Sequence, residues 1–234
     1  MVSKALGGPT WPFTRIGGIG AIVFATAIIG INLILFPAGL PEGRTDIADT
    51  TRFFDDNGEI VRWALAATPV AFFAVVAFGA GAFAALREFE RADISAWSLV
   101  GLAGLVLQTA VFTVVSALRL ALTTIPEHTS ATAAGLFALH NAVFNLNGTF
   151  LATAMIGLSM GGLRARLIQP WHAALGFVAA ALQFTWTLLT PLMLDRPSPL
   201  SLLGLVGWLI WTVWLVVYGI TLIRLRANRI AVAY

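Results

Sequence analysis

Residues 131–160 read ATAAGLFALHNAVFNLNGTFLATAMIGLSM. The run is long enough to cross a bilayer, because roughly 20 helical residues rising about 1.5 Å each cover the hydrocarbon core. It nevertheless carries His140, Asn141, Asn145 and Asn147 at its middle. A polar side chain left unpaired in hydrocarbon loses several kcal/mol, so these groups must turn toward neighbouring helices or a wet cavity. That requirement places the segment at the centre of a bundle and demands other spans around it.

The composition supplies them. Of 234 residues, 59% are hydrophobic and 11% charged, with a mean hydropathy of +0.88, whereas soluble domains devote about a quarter of their residues to charge. The reading is an all-α, polytopic membrane protein. Nearly all the base behind the net charge of +3 is arginine beside apolar runs, where it meets lipid headgroups and not nucleic acid. The absence of cysteine excludes thiol catalysis, thiolate metal sites and disulfides.

Six apolar runs emerge, at about 16–36, 61–86, 96–122, 131–160, 171–194 and 200–223. They predict one six-helix transmembrane domain over 16–223, preceded by a cytoplasmic segment, 1–15, and followed by a basic tail, 224–234. The first run is too long for the apolar region of a signal peptide, and Phe36-Pro37-Ala38-Gly39 makes a poor cleavage site. The turn Asp195-Arg196-Pro197-Ser198-Pro199 separates the last two runs. No Asp or Glu falls inside these spans, which weighs against a proton- or sodium-coupled pump. Nor does the polar fourth span have a counterpart in the first half, so an inverted repeat is not expected.

Six spans put both termini on one side. Nine basic residues flank the spans there, from Lys4 and Arg15 to Arg224, Arg226 and Arg229, against five on the other side, Arg44, Arg52, Arg62, Arg119 and Arg196. The bias predicts cytoplasmic termini and an outward, acidic loop over Ala38–Ile60. A reporter fused after Tyr234 should therefore signal from the cytoplasm and one in the 38–60 loop from outside; an external C-terminus would reverse the orientation.

Counting residues from the span ends places Asn32, His140 and Trp186 in the outward half and Gln108, Asn145 and Gln183 near the midplane, with Arg119 further out. His140 and Asn147 share one helix face, and Asn141 and Asn145 an adjacent one. Trp208, Trp211 and Trp214 follow at i, i+3, i+6 on the sixth span. These positions suggest either interhelical hydrogen bonding or a ligand pocket with a polar floor and aromatic walls, formed by His140, Asn141, Asn145, Asn147, Asn32, Arg119, Gln108, Gln183, Trp186, Trp208 and Trp211.

Other motifs fail on context. Gly157-Leu158-Ser159-Met160-Gly161 fits the G-x-S-x-G nucleophile pattern but closes a membrane helix, where Gly157 and Gly161 serve as a close-packing pair. His128, His140 and His172 lie at three depths, so no metal site and no bis-histidine haem is expected. The run Asp55-Asp56-Asn57-Gly58-Glu59 lacks the alternating oxygens of a calcium loop.

Leu139-His140-Asn141-Ala142-Val143-Phe144, then Leu163-Arg164-Ala165-Arg166-Leu167-Ile168-Gln169-Pro170-Trp171 with Ala174-Leu175-Gly176, resembles a family of bacterial six-helix membrane proteins known as a domain of unknown function. Phe53-Phe54, Ile60-Val61-Arg62 and Gly207-Trp208-Leu209-Ile210-Trp211 extend the likeness over most of the chain. The resemblance implies six helices in a bacterial plasma membrane and supplies no activity or cofactor. Asn141 stands where an acidic residue would be expected after the histidine, which counts against acid–base chemistry there. The leading expectation is binding of a lipophilic small molecule, a lipid or a partner subunit within the bundle. The alternatives are a membrane-embedded enzyme acting on a lipid or isoprenoid, then a transporter or channel.

Overall fold

In hydrocarbon, a helix satisfies every backbone N–H and C=O within its own segment, so the apolar runs have no better conformation. The computed structural model describes residues 12–41, 45–125, 130–193 and 201–225. These form α1 (Phe13–Leu35), α2 (Ile47–Leu65), α3 (Thr68–Ala92), α4 (Trp97–Leu122), α5 (Ser130–Leu146), α6 (Gly148–Arg164), α7 (Pro170–Met193) and α8 (Ser201–Arg224). Among the described residues six helical stretches are long and apolar enough to cross a membrane: Phe13–Leu35, Ile47–Ala92, Trp97–Leu122, Ala131–Arg164, Pro170–Leu192 and Leu202–Arg224. The all-α, six-span reading holds. His128, Lys4, Arg44, the Asp195–Pro199 turn and the basic tail beyond Leu225 lie outside the described residues.

The spans pack as a ring in chain order: α1 on α3, α3 on α4, α4 on α6, α6 on α7, α7 on α8, and α8 back on α1. The start of α1 meets the finish of α8, where Gly18 faces Gly219 and Ile223. Both described chain ends therefore lie at one end of the bundle, called here the terminal end; the opposite end is the distal end. Close approach depends on small residues. A β-carbon on Gly17 would sit 2.8 Å from Gly81 Cα, and one on Gly157 would sit 2.6 Å from Gly101 Cα, so α1–α3 and α4–α6 touch backbone to backbone. The core between these seams is aromatic: Phe78, Trp214, Tyr218 and His172 contact one another with ring centroids 5.2–6.3 Å apart.

Three features depart from the expected spans. Hydropathy makes Ala38–Ile60 a loop, but the chain is helical from Ile47. The Asp46 side chain caps this helix by accepting from Ala48 N at 2.9 Å. One face of α2 buries Phe53, Phe54, Val61, Ala64 and Leu65 against Ile31, Leu35, Leu122 and Phe137, closing a second core at the distal end. Its acids, Asp49, Asp55, Asp56 and Glu59, are exposed.

The fourth span is also not one helix. At Asn147 the ladder tightens, with Phe150 N donating to Asn147 O, three residues back, at 3.1 Å, while the Asn145 carbonyl accepts from the Thr187 hydroxyl of α7 at 3.1 Å. A side chain entering the ladder is a recognised cause of such interruptions.

Thirdly, the second span continues to Ala92 and takes Glu88 and Glu90 with it. Glu90, four residues beyond the apolar run 61–86, is only 4% exposed. Its carboxyl accepts from Ser98 N at 2.7 Å and from the Ser98 hydroxyl, capping the first turn of α4 from another helix.

Two turns at the terminal end place non-glycine residues in the left-handed region, Ile94 at φ 49° and Arg166 at φ 53°. Beyond α6, Arg166 N donates to Leu163 O at 3.1 Å and Leu167 N to Gly162 O at 2.8 Å. That pair of bonds defines a Schellman ending, whose left-handed position glycine normally fills. A residue with a β-carbon costs about 1–2 kcal/mol there.

Candidate functional site

Phe137, His140 and Phe144 lie at i, i+3 and i+7 on α5 and so share one face. The imidazole is sandwiched between the two rings, with centroids 6.0 and 6.1 Å away and planes within 5° and 9° of parallel. Phe112 of α4 extends this wall, 6.0 Å from Phe144. Arg119, one turn before the end of α4, donates from Nε to His140 Nε2 at 3.0 Å. A guanidinium has donors only, so Nε2 must be the unprotonated nitrogen. The proton then resides on Nδ1, which donates to Asn141 Oδ1 at 3.1 Å. His140 is therefore a neutral ring with both nitrogens engaged. It is buried, while Arg119 is partly exposed, and the second core under α2 covers this part of the bundle.

A second polar group surrounds the interruption of the fourth span. Trp186 Nε1 donates to Asn145 Oδ1 at 3.2 Å, and Gln183 Nε2 donates to Gly204 O of α8 at 2.9 Å. Gly148 opens α6 directly against Thr187 and Gln183, leaving no room for a side chain. The register of α4 on α6, in which Gly101 meets Gly157 and Gly104 meets Ala154, sets Gln108 beside the first turns of α6. Gln108 Oε1 and Asn147 Oδ1 are buried and receive no hydrogen bond from the described residues.

The expected single pocket thus separates into two groups. Arg119, His140 and Asn141 form the distal one; Asn145, Trp186 and Gln183, with Asn147 and Gln108 nearby, form the deeper one. The Asn32 amide donates to Ile28 O of its own helix at 2.8 Å. Trp211 lies in the main core, edge-on to Phe24 at 5.7 Å, and Trp208 is partly buried against the same core.

Residues 16–219 match the family described as Domain of unknown function (DUF4386). The chain belongs to this DUF4386 family. The matched region takes in nearly all of the spans and both polar groups. No curated protein and no solved structure matches the chain.

In this DUF4386 protein the serine of Gly157–Gly161 is no nucleophile elbow: Ser159 is fully buried in the continuous α6, and its Oγ has no hydrogen-bond partner among the described residues. His172 is likewise structural, its Nε2 lying 2.9 Å from Trp214 O. Among the described residues no three His, Asp or Glu side chains converge on a possible metal position. Residue reading missed Glu90 and Thr187. For Glu90 a signal existed, since Ser98 follows eight residues later across a short turn. For Thr187 none did.

Proposed function

We propose that this membrane protein binds an amphiphile, a lipid or lipophilic small molecule with an anionic or hydrogen-bond-accepting head, in the distal part of the bundle beside α4 and α5. The observation that carries this reading is the Arg119–His140 bond. It holds a permanently charged fork in fixed orientation within a span, beside an aromatic wall suited to an apolar tail. The partial exposure of Arg119 and the exposed Leu139, Phe144 and Leu146 of α5 support access from the lipid side. By the basic bias, this end faces outward. Acid–base chemistry at His140 is disfavoured, because the neutral ring has no free lone pair.

Small molecules copurifying with the protein, read by mass spectrometry, test the proposal. His140→Gln, similar in size and still able to accept from Arg119, should retain the fold and lose at least part of the bound molecule. Arg119→Gln should lose it altogether. His140→Ala should in addition cost about 1–3 kcal/mol of stability, because Arg119 Nε is left without its acceptor. Equal ligand content in wild type, His140→Gln and Arg119→Gln would overturn the proposal.

A further inference from the structure

The turn joining α6 to α7 encloses a cleft of about 420 Å³ lined by Leu163, Arg166, Ile168, Gln169 and Pro170. Two neighbouring arginines behave differently. Arg164 is paired with Asp93 at 2.8 Å, tying this turn to the α3–α4 turn. Arg166 is exposed, and among the described residues its side chain makes no ion pair or hydrogen bond. It nevertheless occupies the left-handed position of the Schellman ending. Where backbone strain persists, it points toward a use for the strained residue, and arginine here supplies what glycine cannot, a cation on an aliphatic stem at the edge of the cleft.

The surroundings say where that guanidinium works. Trp171 opens α7 and is 56% exposed, the placement of an indole in the interfacial belt at a membrane surface. Ile94, across the Arg164–Asp93 bridge, is 95% exposed, an apolar side chain presented at the same end. Trp171 and Val178, seven residues apart on one face of α7, continue an exposed apolar track away from the cleft. A cation at the edge of a cleft, with an exposed indole and an apolar track along α7 beside it, matches a phospholipid, whose phosphate and acyl chains are separated in the same way.

We propose that the α6–α7 cleft binds the phosphate of an anionic phospholipid through Arg166, with an acyl chain lying along α7. This site is at the opposite end of the bundle from Arg119 and does not depend on the reading given for that residue.

The decisive variant is Arg166→Gly. It relieves the left-handed strain, so the purified full-length protein should be at least as thermally stable as wild type in neutral phosphatidylcholine. Wild type should retain phosphatidylglycerol over phosphatidylcholine in native mass spectrometry, and Arg166→Gly should lower that preference on the order of tenfold, the equivalent of one charge-assisted hydrogen bond. Arg166→Lys should keep most of it, since lysine binds phosphate as a point charge. Should Arg166→Gly purify poorly, Arg166→Asn, which tolerates the same backbone region, makes the same comparison. Undiminished phosphatidylglycerol preference in the folded variant would overturn the proposal. Displacement of the lipid by millimolar inorganic phosphate would overturn the lipid assignment in favour of a soluble phosphate.

Discussion

Gly157→Leu should abolish the folded, detergent-soluble protein. A β-carbon at this position would lie 2.6 Å from Gly101 Cα and 2.7 Å from Trp97 O, and the obstructing atoms are backbone, which cannot swing aside as a side chain can. Relief would require separating α4 from α6 along their length, which would also open the Gly104–Ala154 contact one turn away. Overpacking a core costs about 1–3 kcal/mol where neighbours can give. With backbone on the far side, roughly 4 kcal/mol or more is expected, beyond the usual range of single substitutions. Loss of a monodisperse size-exclusion peak, or a melting temperature too low to measure, is the anticipated result. An unchanged melting temperature would mean that the two helices do not meet as described.

Glu90→Ala should have the next largest effect. The carboxyl group holds both the backbone N–H and the hydroxyl of Ser98 in a site where all three groups are buried. Removing it strands two donors at the start of α4. Loss of a helix cap costs about 0.5–2 kcal/mol, and a buried donor left unsatisfied about 1–3 kcal/mol, so a destabilisation of about 2–4 kcal/mol is expected in thermal melts of the extracted protein. Glu90→Gln keeps an acceptor oxygen for Ser98 N and should recover most of the loss. If Ala and Gln behaved alike, the capping role would be wrong.

How far the molecule can be read from its residues depends on where each feature's energy originates. The six spans were legible because bilayer thickness imposes a minimum apolar length on each, independently of its neighbours. The proximity of His140 to Arg119 was partly legible: counting along helices puts both toward the same end, but their contact depends on the rotation of α4 against α5, which counting does not give. α2 escaped because a helix that buries only one stripe has charges on the other, so hydropathy averages them away; its Phe53, Phe54, Val61 and Leu65 mark the stripe only to a reading by period. The interruption at Asn147 arises from the hydroxyl of Thr187, forty residues later, and no local pattern records such a contact. Trp211 illustrates the remaining ambiguity: a tryptophan stripe at helical spacing declares a face but not the partner, and that partner is Phe24 in the main core.

The interruption at Asn147 also governs what the fourth span can convey. A continuous helix of that length is a stiff rod, and a twist applied at one membrane face arrives at the other. Here the tightened turn is a joint between two short levers. The lower lever, α6, is clamped between α4 and α7 by backbone contact at Gly101 and Gly104 and by its packing on α7. The upper lever, α5, rests on α4 and α2 through side chains, Phe137 among them. The Arg119–His140 bond and the amphipathic cover α2 thus belong with the upper lever, and the glycine seams with the lower one.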